Sequence, residues 1–210
     1  MIANYYADAD GVIHQLQVGE LQTYDKQYIE TRYHQYPEKC RQMAHLRLGY
    51  ITGAINRVPS SILDVGYGAG DFLQAASTVV PDLGGYDITG IQPPPGVAKV
   101  ESIFERHWHV VTMFDVLEHI EDPSIIRDLQ CSFLVVSIPW CHYPDDEWFR
   151  WWKHRRPDEH LHHFNDRSLI RFMRRHGYEI TSWPCAIEDS IRGQLDGRPN
   201  IMTGIFHKSQ

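Results

Sequence analysis

Residues Ile62-Leu63-Asp64-Val65-Gly66-Tyr67-Gly68-Ala69-Gly70 carry an apolar run straight into a turn with glycine at every second position. Glycine lets the backbone turn tightly and approach a ligand, and a helix opening behind it offers unpaired N–H groups. Asp87 ends the next short apolar stretch, 21 residues after Gly66. A carboxylate there can accept hydrogen bonds from both hydroxyls of a ribose. Strand, glycine turn, helix, strand and acid in that order predict a site for a nucleoside-bearing cofactor. Asp71 stands just after the last glycine, so the spacing departs from the G-x-G-x-x-G of dinucleotide sites and counts against an NAD(P) oxidoreductase.

A second group lies further along. Asp115, Glu118 and His119 form D-x-x-E-H, which one helical turn would bring together, and His160 follows with His162 and His163. His119, His160 and Asp115 are candidate general bases, needed only if the group to be modified is a weak acid such as an alcohol or phenol. No metal is assigned. The alternative is a site made of Asp115, Glu118, His119 and His160, whose mixed carboxylate and imidazole donors suit Mg, Mn or Fe better than structural zinc. Between Trp140 and Pro157 stand four tryptophans, and Trp140, His142, Trp148 and Trp152 could wall a pocket for a sugar or flat ring. Arg150, Lys153, Arg155 and Arg156 in that stretch could meet a phosphate, or simply be solvated.

These residues need a frame. Apolar spacing predicts an amphipathic helix over 38–57, strands at 61–65, 85–88, 97–100, 110–114 and 133–138, and helices at 72–80, 124–128 and 168–176. Two last strands fit 179–184 and 200–206. The 133–138 run is almost wholly apolar, as a strand buried on both faces should be. Three consecutive prolines between Gly90 and Gly96 exclude a helix interior there. Alternating strands and helices predict an α/β three-layer sandwich. The first forty residues show little apolar periodicity. We divide the chain as one domain, with 1–58 an N-terminal cap or lid and helix, and 59–210 the core. The arginines of the last helix, Arg171, Arg174 and Arg175, read as its wet face.

The chain has 210 residues, enough for one well-buried core, and a formal charge of −7. That charge argues against long nucleic acid or an anionic membrane as partner. No segment approaches the roughly 20 apolar residues of a membrane helix. Four cysteines far apart read as reduced thiols of a cytoplasmic protein. Thirteen histidines are an excess, and eight of them fall between 107 and 163.

ILDVGYGAGDF resembles the first motif of class I S-adenosylmethionine-dependent methyltransferases. FDVLEHIEDP at 114–123 resembles the fourth-strand motif of a subgroup that includes ubiquinone-biosynthesis-like and sugar-modifying enzymes. The later E-H-L, Phe164, Ser168-Leu169 and Gly177-Tyr178 are similar to that subgroup's C-terminal signature. The resemblance implies a Rossmann-like, seven-stranded, mostly parallel sheet in the order 3-2-1-4-5-7-6, here with the helix between strands 2 and 3 shortened. It implies S-adenosylmethionine as cofactor. Gly66, Tyr67, Gly68 and Gly70 would pack on the methionyl and ribose portion, and Asp64 would hold the amino end directly or through water. Asp87 would take the ribose hydroxyls, Ile88 the adenine face, and Glu101 the adenine amino group. Met113, Phe114 and Asp115 would form the floor beside the sulfonium, and Tyr28 and Arg32 a lid or carboxylate contacts. The implied activity is methyl transfer to a small-molecule or sugar-bearing acceptor. Two alternatives stay open. D-x-x-E-H with a later histidine also resembles the small-RNA 2′-hydroxyl methyltransferases, implying a Mg- or Mn-assisted RNA or nucleotide enzyme. A non-catalytic cofactor-binding subunit is the other.

Overall fold

The computed structural model describes residues 1–25 and 36–209. In chain order the elements are β1 (Tyr5–Ala7), β2 (Ile13–Gln15), α1 (Pro37–Ala54), β3 (Ser61–Val65), α2 (Asp71–Ala76), β4 (Asp82–Tyr86), β5 (Ala98–Lys99) and β6 (Trp108–Phe114). Two 3-10 turns, Leu117–His119 and Pro123–Asp128, lead to β7 (Cys131–Pro139). Then come α3 (Asp146–Trp151), β8 (His162–His163), α4 (Asp166–Arg175), β9 (Tyr178–Cys185), α5 (Asp189–Arg192) and β10 (Ile201–Lys208).

Seven strands form one sheet in the order β5-β4-β3-β6-β7-β10-β9, with β10 antiparallel to both of its neighbours. Counted along the core, that order is 3-2-1-4-5-7-6. Strand alternation builds the layers. Ile62, Val110 and Val135 pack with Ala44, Leu48 and Ile51 of α1 and with Phe72 and Leu73 of α2. Leu63, Val111, Leu134 and Val136 point the other way, onto Leu169, Phe172 and Met173 of α4. Asn165 and Ser168 close a capping box at the start of α4, satisfying donors that a bare helix end would leave open.

Several expectations need correction. The segment over 124–128 is a 3-10 turn rather than an α-helix, and α2 stops at Ala76 instead of 80. Between β4 and β5 there is no helix, as Pro93, Pro94 and Pro95 require. The N-terminal segment, which lacks periodicity, folds as a hairpin. Asp8 Oδ1 accepts from the N–H groups of Asp10 and Val12, and Gly11 takes φ +81°. β2 then pairs with β8, making a three-stranded antiparallel sheet. Arg171 and Arg175 are not simply a wet face. Arg171 Nε donates to the Asp10 carbonyl at 2.7 Å and Arg175 pairs with the Asp10 carboxylate at 2.9 Å, docking the hairpin on α4. No helix among the described residues is long and apolar enough to cross a membrane.

Candidate cofactor and acceptor site

The turn after β3 requires its glycines. Gly66 and Gly70 have φ of +72° and +83°. A Cβ on Gly66 would lie 2.5 Å from Val116 Cγ2, and one on Gly70 would lie 2.7 Å from Pro94 Cγ. Asp87 reaches this turn: its Oδ2 accepts from Gly68 N–H and its Oδ1 from Thr89 N–H, both at 2.8 Å. The Tyr67 hydroxyl donates to the Ile91 carbonyl. The proline segment is thus held over the glycine turn at two points, Ile91 on Tyr67 and Pro94 on Gly70.

The remaining candidates from the first half of the sheet scatter. Asp64 faces inward, accepts the Thr112 hydroxyl at 2.6 Å, and is pushed up to about 7 by burial. Ile88 is exposed, and exposed Glu101 pairs with Lys99 at 2.8 Å. Met113 is fully buried in the core against α4. Phe114 lies on the other face, its ring under the Arg47 guanidinium at 4.0 Å. Tyr28 and Arg32 lie outside the described residues.

Asp115 leaves β6 with φ +55°, a left-handed conformation that is costly for a residue with a Cβ. Its carboxylate is clamped by Arg192, with Arg47 at 3.7 Å. Fully buried Glu188 ties both arginines together, at 2.7 Å from Arg47 Nε and 2.8 Å from Arg192 Nε, and accepts the Ser137 hydroxyl at 2.6 Å. Burial pushes Asp115 up, but Arg192 and then Arg47 outweigh it and hold the carboxyl well below the usual range. Asp115 is therefore corrected as a member of the metal group: it is committed to Arg192 and Arg47, and the ligand atoms that converge belong to Glu118, His119 and His160.

Arg47, Glu188 and Arg192 were not anticipated. Arg47 left a signal: it shares the helical stripe of Ala44, Leu48 and Ile51, where a cation is out of place unless answered by an acid.

Glu118, His119 and His160 do converge, with one ligand atom of each lying within 4.8 Å of the others. Glu118 is buried, and neither of its oxygens has a hydrogen-bond donor among the described residues. The His119 Nδ1–H donates to the Glu159 carbonyl and the His160 Nδ1–H to the His154 carbonyl, each at 2.7 Å. Those bonds put the lone pair of each ring on Nε2, and His119 Nε2 lies 3.9 Å from Glu118 Oε1. Burial, then His119, drives His160 down to about 2 and favours its neutral form. Burial, then the charge of Asp115, raises Glu118 well above the usual range.

The aromatic stretch after β7 also gathers. Trp140 stacks on His142 at 5.6 Å, and Trp148 on Trp152 at 5.2 Å with ring planes 23° apart. Asp145 caps α3 by accepting from Trp148 N–H. Trp148, Trp151, Trp152, Lys153, Leu195 and Asp196 line a cavity of about 190 Å³.

The family described as "Methyltransferase domain" matches residues 32–182, well over half of the sequence. The chain belongs to this methyltransferase family. No curated protein matches it. Among solved structures, this methyltransferase is similar to the plantazolicin methyltransferase BpumL in complex with a triazolic desmethylPZN analog and SAH. The two are 14% identical, with TM-score 0.55 and 88% and 89% of the chains covered. Magnesium protoporphyrin IX methyltransferase from Synechocystis PCC 6803, with bound SAH, is 14% identical at TM-score 0.54, covering 81% of this chain and 84% of its own. The methyltransferase domain of bacterial CtHen1-C gives 14% identity and TM-score 0.55, over 82% of this chain and 100% of its own. The fold of this methyltransferase is the Rossmann-like fold of these S-adenosylmethionine-dependent enzymes.

Proposed function

We propose that this methyltransferase uses S-adenosylmethionine to methylate a small-molecule or sugar-bearing acceptor at the C-terminal edge of the sheet. One observation carries the cofactor assignment: the Asp87 carboxylate joined to Gly68 of the glycine turn at 2.8 Å. S-adenosylmethionine supplies a methyl group activated by a positively charged sulfur. The chain's task is alignment and exclusion of water. Two backbone donors fix Asp87, and its other lone pairs accept the ribose hydroxyls. Phe114 and the ionised Asp115 face the sulfonium side, and the stacked pairs Trp140–His142 and Trp148–Trp152 hold a flat acceptor. With a hydroxyl acceptor, His119 Nε2 takes the proton while Nδ1–H stays on the Glu159 carbonyl. Four free cysteines fit work in the reducing cytoplasm.

Calorimetry with S-adenosylhomocysteine and NADH tests the reading. S-adenosylhomocysteine binds, and Asp87→Ala weakens it by roughly 10- to 100-fold, the worth of hydrogen bonds to a charged group. Tight NADH binding with none for S-adenosylhomocysteine would sink it.

The unpartnered Glu118 carboxylate favours a second reading, in which a divalent cation assists hydroxyl methylation on RNA or a nucleotide. Glu118, His119 and His160 fit such an ion: one oxygen and two nitrogens, each imidazole oriented by a backbone carbonyl. The ion would be a Lewis acid for the acceptor hydroxyl. Mn²⁺ added to chelator-treated protein is expected to bind with one-to-one stoichiometry by electron paramagnetic resonance and to raise turnover. Absence of both effects ends this reading.

A further inference from the structure

The parallel strands β3, β6 and β7 all begin at the sheet edge opposite the glycine turn. There Arg57, Ser60, Ser61, His107, His109 and Ser132 surround a surface cavity of about 370 Å³, with Val58 as its apolar wall. No carboxylate lines this cavity. Arg57 has no ion-pair partner among the described residues, whereas Arg106, one residue before His107, is answered by Asp82 at 2.7 Å. In a chain of net charge −7, a basic concavity without an acid is conspicuous.

Its donors have defined directions. Ser60 N–H donates to His109 Nδ1 at 3.0 Å, so a neutral His109 ring carries its own hydrogen on Nε2. The backbone N–H of His109 donates to Ser61 Oγ at 2.9 Å, leaving the Ser61 hydroxyl hydrogen to be given elsewhere. His107 Nε2 sits 3.4 Å from Ser132 Oγ, and the His109 ring is braced edge-on against Phe133 at 5.6 Å. Burial first, and then the charges of Arg57 and His107, press the His109 imidazole toward its neutral form. One guanidinium and two imidazoles therefore face a common space with no carboxylate among them.

We propose that this cavity binds a phosphate-type oxyanion, either inorganic phosphate or the phosphate of a small phosphomonoester. Arg57 supplies the planar fork that matches two oxygens. His109 Nε2–H and the Ser61 and Ser132 hydroxyls supply donors from other directions, as a tetrahedral anion needs. The volume exceeds what one phosphate fills and leaves room along Val58 for a small organic group.

The test is a titration followed in ¹H–¹⁵N spectra at constant ionic strength, with inorganic phosphate in one arm and adenosine monophosphate in the other. Saturable shifts are expected at Ser60, Ser61, His109 and Ser132, and the tighter arm names the source of the phosphate. Arg57→Ala and His109→Gln should each weaken binding about tenfold or more. Arg57 is exposed, and its variant should keep the remaining spectrum and its affinity for S-adenosylhomocysteine. Equal shifts with chloride, or unchanged affinity in Arg57→Ala, would overturn the proposal.

Discussion

Replacing Glu188 by alanine is expected to cost about 3–5 kcal/mol of folding stability, the loss that follows when one partner of a buried ion pair is removed. Glu188 answers Arg47, Arg192 and the Ser137 hydroxyl at once and has no exposure to water. Without it two guanidinium groups share the single carboxylate of Asp115. Glu188→Gln keeps the volume and removes the charge, so comparing the two by urea unfolding separates pairing from packing. A loss under about 1 kcal/mol in both would mean that solvent screens the arginines and that the network is not a structural unit. The same groups set the acid limb of stability. Burial alone would raise both carboxyls, yet the arginines hold Asp115 and Glu188 below their ordinary range. A carboxyl depressed by folding contributes stability above its unfolded value and loses it as pH falls through the folded one. Stability should thus decline below about pH 4, and Glu188→Ala should flatten that decline.

This network also marks where sequence reasoning reaches its limit. The central strands are legible because β3, β6 and β7 are buried on both faces, so their apolar runs have few other interpretations. The glycine turn and Asp87 are legible because both belong to one βαβ unit, 19 residues apart at their point of contact. Glu188 meets Arg47 across 141 residues, and nothing local distinguishes it from any other surface acid. The hairpin fails for a related reason. β1 and β2 are three residues each, too short for periodicity to register, and what secures them is the carboxylate of Asp8 and a pairing with β8 about 150 residues away. The D-x-x-E-H spacing was legible as a cluster but not in its membership. Spacing on a helical turn treats Asp115, Glu118 and His119 alike. In the fold, Asp115 adopts a left-handed conformation at the strand end and joins the arginines, while Glu118 and His119 lie in the 3-10 turn Leu117–His119 and cluster with His160. The histidine excess resolves in the same way: His119, His142 and His160 each spend a ring N–H on a backbone carbonyl, which fixes ring orientation before any ligand arrives.

Glu118→Gln is expected to do two opposite things: raise the stability of the metal-free protein by about 1–3 kcal/mol near neutral pH, and remove Mn²⁺ binding. The first effect follows from a carboxyl that is buried with neither oxygen accepting from a side chain, 3.9 Å from His119 Nε2 and clustered with His160. Burial and the charge of Asp115 make ionising it there costly, and its own backbone N–H and Arg192 offset only part of that cost, whereas an amide in its place can donate N–H toward the His119 lone pair. The sign with pH is defined. Burial, helped by the charge of Asp115, raises the Glu118 carboxyl, so its contribution is fully present below the unfolded value of about 4.3 and is lost as pH rises through the folded one. The glutamine variant has no such loss, so the two stability curves should diverge as pH increases. A divalent cation reverses the comparison. Binding to the ionised carboxylate stabilises the loaded wild type by about 2.7 kcal/mol at a hundredfold excess over Kd, and the variant gains nothing. Thermal unfolding of both proteins across pH, with and without Mn²⁺, reads all four states. If the metal-free variant proves less stable than wild type at every pH, Glu118 has partners in the folded protein, and the cation reading loses its basis.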